Sequence, residues 1–196
     1  MSKGLCVVIT GSSGAGKTSV VRRLLKQISG SARLITTTSR ELRPEEVNGV
    51  DYNFVSRQQF EKLVKQGKFL EWEENYGNLY GSERAVLEQM LERHSVVLVT
   101  LDVRGAKSYQ KVYPSAIIVA LSVPVDQILE RITARAPIDS AELERRIEAV
   151  TREQAEIDTF DFIVENRAGQ LETKTVPRTE KIILNELTKR QSSTRA

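Results

Sequence analysis

Short apolar runs alternate with helical patterns along most of the chain. Runs rich in apolar and β-branched residues predict buried strands at 5–10, 69–74, 95–102, 116–121 and 160–165, and a shorter strand at 52–55. Apolar residues at helical spacing predict helices at 18–28, 56–67, 83–93, 105–113, 124–135, 140–157 and 177–190. Because the strands are almost wholly apolar, they need cover on both faces. The pattern therefore predicts an α/β fold with a parallel central sheet and helices on both faces.

Polar residues and glycines indicate where several elements end. Ser56 and Gln59 have the spacing of a capping box at the start of one helix, and Gly67 is expected to end it. Residues 29–31 are expected to close the first helical segment. Residues 75–78 predict a turn, after which 79–82 would lead into the helix at 83–93.

Composition and charge suit one globular domain. The chain has 196 residues, a net charge of +3 and no long basic block, so we expect no nucleic-acid partner. The single cysteine, Cys6, excludes an intrachain disulfide and is expected to be a buried, inert thiol, and the single histidine lacks a partner for a zinc site. No apolar run approaches the ~18 residues of a membrane span and no signal peptide is visible, so we expect no membrane partner and a cytoplasmic location by default. The sequence leaves open whether the chain is a monomer or a homo-oligomer.

One stretch carries the clearest chemistry. Residues 11–18 read Gly-Ser-Ser-Gly-Ala-Gly-Lys-Thr, the phosphate-binding loop pattern G-x-x-x-x-G-K-S/T, between a predicted strand and a predicted helix. Its glycines permit the tight curl that aims several backbone N–H groups at a polyphosphate. Lys17 can place a positive charge on the β- and γ-phosphates, and the Thr18 hydroxyl can ligate Mg²⁺. The predicted nucleotide-binding residues of this loop are Gly11, Ser12, Ser13, Gly14, Ala15, Gly16, Lys17 and Thr18.

Further motifs make nearly the whole chain resemble one family. They are Thr-Ser-Arg-Glu-Leu-Arg-Pro at 38–44, Asn-Gly-Val-Asp-Tyr-Asn-Phe at 48–54, Phe-Leu-Glu-Trp at 69–72, Gly-Asn-Leu-Tyr-Gly-Ser at 77–82, Leu-Asp-Val-Arg-Gly-Ala at 101–106 and Phe-Asp-Phe-Ile-Val-Glu-Asn at 160–166. With the phosphate loop, they resemble guanylate kinase, a nucleoside monophosphate kinase of the P-loop superfamily. The resemblance implies transfer of the γ-phosphoryl group of ATP to GMP, giving ADP and GDP, with dGMP as a further expected acceptor.

The resemblance implies which side chains hold the acceptor nucleotide. The GMP phosphate would be held by Arg40, Arg43, Tyr52 and Tyr80. The rigid fork of arginine matches phosphate geometry. Taken alone, however, two arginines in a polar loop would more simply be solvated.

Glu71 would read the guanine base. One carboxylate can accept from both N1–H and N2–H₂ of guanine, whereas adenine would leave it unpaired at a penalty of about 1–3 kcal/mol. Ser82 falls where the family has a hydroxyl near the base, as does Thr36, where the family more often has serine. Asp102 ends a strand that should lie beside the one preceding the phosphate loop. An acid there can hold Mg²⁺ through its water or orient the acceptor phosphate.

A mobile lid is implied to supply further catalytic cations. With Lys17, the catalytic set would be Arg131, Arg135 and Arg146, which stabilise the negative charge that spreads during phosphoryl transfer. The turn after Arg135 reads Ala-Pro where the family usually has Gly-Thr. Asn166 falls where the family contacts the adenine side of ATP. The implied cofactors are ATP and Mg²⁺, and the implied partners are the small-molecule substrates GMP and ATP.

The implied plan is a single domain over 1–190 with a flexible tail at 191–196. A core of 1–33, 91–125 and 159–190 would carry a GMP-binding region at 34–90 and a helical lid at 126–158. Two other functions stay open: a catalytically inactive, guanylate-kinase-like peptide-binding module, and a P-loop kinase for another phosphorylated acceptor such as a ribose phosphate. Lys17 and the lid arginines disfavour the first, and Glu71 with residues 80–82 disfavours the second.

Overall fold

The structure is a computed structural model that describes residues 4–75, 77–133 and 140–193. Its strands are β1 (Leu5–Thr10), β2 (Ser31–Arg33), β3 (Thr37–Thr38), β4 (Asn53–Phe54), β5 (Phe69–Asn75), β6 (Asn78–Glu83), β7 (Val96–Thr100), β8 (Ile117–Ser122) and β9 (Phe162–Glu165). Its α-helices are α1 (Lys17–Gln27), α2 (Arg57–Lys65), α3 (Arg84–Arg93), α4 (Val103–Val112), α5 (Val125–Thr133), α6 (Ser140–Ile157) and α7 (Val176–Ser193). One π turn, Leu171–Thr175, directly precedes α7.

Five strands form a parallel sheet, and four of them, β1, β7, β8 and β9, come from the predicted apolar runs, whereas the run at 69–74 forms β5 in a separate sheet with antiparallel pairs. The strand order is β2-β7-β1-β8-β9, so β1 lies between β7 and β8. Val7 of β1 pairs with Leu98 on one side and with Ile117 on the other. Because parallel strands end at the same edge of a sheet, the loop after β1 and the loop after β7 are brought together. This confirms the prediction that the strand before Asp102 lies beside the strand that precedes the phosphate loop.

Alternate side chains of β1 point into two apolar clusters, one on each face of this sheet. Leu5, Val7 and Ile9 pack with α1 and α7, whereas Cys6 and Val8 pack with α3 and α4. Helices therefore cover both faces, as predicted. The Cys6 thiol is fully buried 3.3 Å from the Tyr109 hydroxyl, and burial raises its pKa to about 12, which keeps it neutral and unreactive.

A second sheet lies within residues 37–83 and has the order β4-β3-β6-β5. The pairs β5–β6 and β3–β6 are antiparallel. Phe60, Phe69 and Leu79 form a separate apolar cluster with this sheet, in which the two phenyl rings stack with centroids 4.4 Å apart. The helix that supplies Phe60 starts with the predicted capping box: Gln59 N donates to Ser56 Oγ at 3.2 Å, and Ser56 N donates to Gln59 Oε1 at 2.9 Å.

The sequence-based assignment is wrong at several places, and it also misses β3 (Thr37–Thr38). Strand β2 occupies 31–33, where we expect the end of a helical segment, and β6 occupies 78–83, where we expect a lead into a helix. Strand β2 is short and pairs with β7, far away in sequence, and β6 is polar and contains a glycine although it pairs with the neighbouring β5, so local pattern reveals neither strand. Helix α7 reaches Ser193, beyond the predicted end at 190 and into the expected tail. Among the described helices, none is both long and apolar enough to cross a bilayer.

We predict that Phe60→Ala lowers the free energy of unfolding by about 3–4 kcal/mol, because removing a fully buried ring leaves a cavity. Urea unfolding followed by circular dichroism measures the loss. Val86→Ala, at a position 39% exposed on α3, is the control and should change stability by less than about 0.5 kcal/mol. Equal losses in the two variants would contradict the buried position of Phe60.

Candidate active site

A cavity of about 500 Å³ opens between the phosphate loop and the second sheet. Residues from both parts of the chain line it together. The predicted site residues in its wall are Ser13, Gly14, Gly16, Lys17, Thr18, Thr36, Arg40, Arg43, Tyr52, Glu71, Tyr80 and Asp102. The structure therefore brings the two groups of residues that the sequence suggests for two nucleotides into one space.

The phosphate loop has the curled backbone that its glycines predict. Gly11, Gly14 and Gly16 have φ values of 144°, 83° and 88°, which other residues rarely adopt. Gly16 is the N-cap of α1, so free N–H groups and the positive end of the helix dipole face the loop. Lys17 Nζ donates to the carbonyls of Gly11 at 2.6 Å and Ser12 at 3.1 Å. Its ammonium group thus lies over the loop into which phosphates would bind.

Two residues that the sequence assigns to the donor nucleotide contact the backbone of this loop. Asn166 Nδ2 donates to the Ala15 carbonyl at 2.7 Å. Arg131 donates from Nη1 to the Gly14 carbonyl at 3.2 Å and from Nη2 to the Asn166 carbonyl at 3.1 Å. Neither side chain is among the described residues that line the cavity. Their direct contact with a nucleotide stays a prediction.

Arg40 is held in an aromatic and acidic setting. Its guanidinium carbon lies 5.6 Å from the centroid of the Tyr52 ring and 5.5 Å from that of Phe54. Its Nη2 donates to both carboxylate oxygens of Glu46, at 2.7 and 2.9 Å, and the backbone N–H of Arg43 donates to Glu46 at 3.0 Å. Partial burial works to raise the pKa of Glu46, but these donors hold it below its ordinary value. Glu46 therefore stays ionised and links the two arginines.

Tyr52 and Tyr80 lie beside this arginine. Their rings meet edge to face with centroids 6.1 Å apart. Burial raises the pKa of Tyr52, so its hydroxyl keeps its proton near neutral pH. It can therefore donate a hydrogen bond to an anion. The second sheet and the segment between β3 and β4 thus present two arginines and two tyrosines to the cavity.

Glu71 is a buried acid with an unused oxygen. It is 7% exposed and pairs with Ser82 across β5 and β6. Burial, together with the negative charges of Asp102 and Glu73, raises the pKa of Glu71 to about 7. Within the described residues, three buried side-chain atoms of predicted site residues lack a hydrogen bond of good geometry: Ser12 Oγ, Glu71 Oε1 and Ser82 Oγ. Ser82 nevertheless lies close enough to Glu71, and Ser12 to Glu153, to lower the pKa of those carboxyls. Buried polar atoms normally have partners, so these three favour a missing ligand.

Asp102 caps α4 and faces the cavity. Its Oδ1 accepts from Gly105 N at 2.7 Å and its Oδ2 accepts from Asn75 Nδ2 at 2.6 Å. Each carboxylate oxygen has a further lone pair for a water or a cation. The Thr18 side chain is exposed in the same cavity wall. These are hard oxygen donors of the kind that Mg²⁺ prefers.

Sequence reasoning missed several residues in the cavity wall, among them Arg33, Glu46 and Glu153. Arg33 Nη2 donates to the Asp51 carbonyl at 2.9 Å, and it ends a strand that the sequence does not predict. Glu153 lies on the strongly charged helix α6, where no pattern separates it from its neighbours. Burial raises the pKa of its carboxyl, although Ser12 and the charge of Lys17 act to lower it. Glu46 could have been found from its place between Arg43 and Tyr52.

The implied lid is only partly described. Arg146 lies on α6, is partly exposed, and is not among the described residues that line the cavity. Arg135 and the Ala136-Pro137 turn lie outside the described residues. The contribution of these arginines stays a prediction.

The family model and the curated relatives agree on one family, and a solved structure shares the fold. The family model described as guanylate kinase matches residues 3–183. The guanylate kinase of Rubrobacter xylanophilus is 35% identical over 167 residues, which cover 85% of this chain and 87% of the relative. That of Clostridioides difficile is 32% identical over 177 residues, which cover 90% and 86%. The crystal structure of guanylate kinase from Anaplasma phagocytophilum superposes with a TM-score of 0.76 at 23% identity, over 95% of this chain and 88% of the other.

We predict that Glu71→Gln stabilises the protein at pH 8 but not at pH 5. The folded pKa of about 7 lies above the ordinary 4.5, so between these values the native state binds more protons than the unfolded state. Stability should therefore fall as pH rises through this window, and the glutamine variant should gain on the order of 2 kcal/mol relative to the wild type by pH 8.

Thermal unfolding across this pH range measures the difference between the two proteins. Glu88→Gln, at an exposed position on α3, is the matched control and should show no such gain. A constant difference between wild type and Glu71→Gln from pH 5 to pH 8 would contradict the raised pKa.

Proposed function

The chain belongs to the guanylate kinase family, and on this premise we propose how its residues divide the reaction among them. As a member of the family, it transfers the γ-phosphoryl group of ATP to GMP and yields ADP and GDP. The assignment of residues rests on one observation: the phosphate loop and Glu71 line the same cavity. We propose that ATP enters on the loop side and GMP on the side of the second sheet, with their phosphates meeting between them.

On the donor side, the loop from Gly11 to Thr18 would hold the phosphates through backbone N–H groups and the N-terminus of α1. Lys17 would move from its own loop carbonyls onto the β- and γ-phosphates. Arg131, Arg135 and Arg146 would add positive charge around the transferring group, as the family resemblance implies. Asn166 would contact the adenine side of ATP. Positioning and charge stabilisation are the main demands of phosphoryl transfer.

On the acceptor side, Arg40, Arg43, Tyr52 and Tyr80 would hold the GMP phosphate. This assignment is supported by the position of all four residues in the cavity wall and by the aromatic and acidic contacts that hold Arg40. The acceptor phosphate is already an anion near neutral pH, so the transfer needs no general base. Holding both phosphates close together would supply much of the rate enhancement.

Glu71 would select guanine. Its unpartnered Oε1 can accept from the N1–H and N2–H₂ edge, and the Ser82 and Thr36 hydroxyls can bind neighbouring atoms of the base. Ionised Glu71 would find no paired donors on adenine and would remain a buried, unpaired charge. We expect the same contacts to accept dGMP, because none of them involves the sugar.

The residues present fit a magnesium ion. Thr18 offers a hydroxyl and Asp102 a carboxylate whose remaining lone pairs face the cavity, and we propose that these two hold the ion directly or through its water. Mg²⁺ commonly takes few protein ligands and binds substrate phosphates as well. When bound, the ion would neutralise phosphate charge and orient the oxygens of the donor.

We further propose a core of 1–33, 91–125 and 159–190, an acceptor region at 34–90 and a lid at 126–158 that closes over both nucleotides. Closure would exclude water, which otherwise competes with GMP as acceptor. A cytoplasmic location stays part of this proposal. No observation favours the inactive peptide-binding module.

We predict that a coupled ADP-release assay with Mg·ATP gives strong rates with GMP and dGMP and weak rates with AMP, IMP and UMP. IMP is the sharpest control, because its base lacks only the N2 amino group. Rates with AMP equal to those with GMP would contradict the role of Glu71. No rate with any of the five acceptors would contradict the proposed function itself.

We predict that Glu71→Gln lowers kcat/KM for GMP about 10- to 100-fold, because an amide cannot accept from two adjacent N–H donors as a carboxylate does. The rate with AMP and the affinity for ADP should stay within about twofold. Steady-state kinetics and calorimetric titration measure these quantities. If the affinity for ADP fell as much as the rate with GMP, Glu71 would be a structural residue of the whole cavity.

A further inference from the structure

A chain of buried hydrogen bonds connects the start of α7 to the phosphate loop. Thr175 is fully buried, and its hydroxyl lies 3.1 Å from Asn166 Oδ1 and 3.0 Å from the Glu165 carbonyl. Asn166 is 4% exposed and donates from Nδ2 to the Ala15 carbonyl at 2.7 Å. A carbonyl can only accept, so the amide nitrogen must face Ala15 and the amide oxygen must face Thr175. The Ala15 carbonyl therefore fixes the orientation of the Asn166 amide, and the Thr175 hydroxyl holds the amide oxygen by sharing its one proton between Asn166 Oδ1 and the Glu165 carbonyl.

The backbone around these residues holds both of them in place. The Asn166 N–H donates to the Ser122 carbonyl at 2.8 Å, which ties the residue to the end of β8. Thr175 is the last residue of the π turn, and its N–H donates to the Gln170 carbonyl at 3.1 Å. π turns are rare and frequently occur at functional sites. Here the turn places a hydroxyl beside Asn166, although Thr175 itself does not line the cavity.

The last acceptor in this series of hydrogen bonds, the Ala15 carbonyl, belongs to the same peptide unit as the Gly16 N–H. In a trans peptide the two groups point in opposite directions. A bond that pulls the Ala15 carbonyl toward Asn166, behind the loop, therefore turns the Gly16 N–H away from Asn166. Gly16 lines the cavity, so this N–H is oriented by a contact made outside it.

Asn166 packs closely against the phosphate loop. A Cβ atom on Gly16 would lie 2.6 Å from Asn166 Nδ2, so the amide packs directly against the glycine backbone. Arg131 adds a second connection, because it bridges the Gly14 and Asn166 carbonyls. The loop backbone is thus held from behind at two successive residues, 14 and 15.

We propose that Thr175 is a positioning residue for the donor nucleotide, which acts through Asn166 to hold the Ala15–Gly16 peptide with its N–H directed at the donor phosphates. The proposal rests on the proposed function for the identity of the donor, ATP. It gives Asn166 a role through the loop, in addition to any contact with adenine. The pocket around Glu71 has no part in it, so binding of GMP should be unaffected.

Thr175→Val tests the proposal, because valine keeps the shape of threonine and removes only the hydroxyl. We expect the dissociation constant for Mg·ADP, measured by calorimetry, to rise about tenfold, the scale of one lost buried hydrogen bond. The dissociation constant for GMP should stay within about twofold. Calorimetric titration measures GMP binding as well. The ¹⁵N–¹H resonance of Gly16 should shift with Mg·ADP less in the variant than in the wild type.

Two variants separate positioning from general stability. Thr175→Ser restores the hydroxyl and should restore the affinity for Mg·ADP. Thr179→Val removes another fully buried hydroxyl one turn along α7, which donates to the Thr175 carbonyl and not to Asn166, and should leave that affinity unchanged. Equal weakening of Mg·ADP and GMP binding by Thr175→Val, or an effect no larger than that of Thr179→Val, would overturn the proposal. Both binding measurements are independent of turnover, so they remain decisive even if the wild type did not phosphorylate GMP.

Discussion

The pairing of β1 with β7 and β8 in parallel is the constraint on which the site depends. Parallel strands end at one edge, so this order delivers the phosphate loop and Asp102 to the same place. Asn166, which follows β9, is tied by its N–H to the end of β8 and reaches the back of the loop. If β1 lay at the edge of the sheet, it would have one neighbouring strand, and only one of Asp102 and Asn166 would be brought beside the phosphate loop.

The second sheet forms the opposite wall of the cavity. Burying an acidic group in this wall costs electrostatic free energy. Glu71 is buried near Asp102 and Glu73, and these surroundings oppose its ionisation. Arg40 is held by Glu46 and by two aromatic rings before any phosphate arrives. Such groups are arranged for a ligand more than for the stability of the empty protein. The unpartnered atoms of Ser12, Glu71 and Ser82 lead to the same conclusion.

The sequence predicts the parts of this molecule that depend on local pattern. The apolar runs predict the central sheet, the glycine spacing predicts the curl at Gly11 to Gly16, and the Ser56 capping box appears where it is expected. It fails for β2, whose hydrogen bonds come from a strand far away in sequence, and for β6, whose polar residues and glycine give no clear strand pattern. It also could not place Glu153 beside the phosphate loop or Thr175 beside Asn166, since nothing local distinguishes an acid or a hydroxyl that makes such a contact from one that faces solvent.

The central claim is that one cavity holds the phosphate ends of two nucleotides, one on main-chain amides and the other on arginine side chains. A crystal structure of the protein with GMP and Mg·ADP tests it most directly. The account predicts Lys17 Nζ and Gly16 N within about 3 Å of ADP phosphate oxygens, with Arg40 and Arg43 on the GMP phosphate. A GMP phosphate bound away from both arginines, or an ADP phosphate outside the loop, would contradict it.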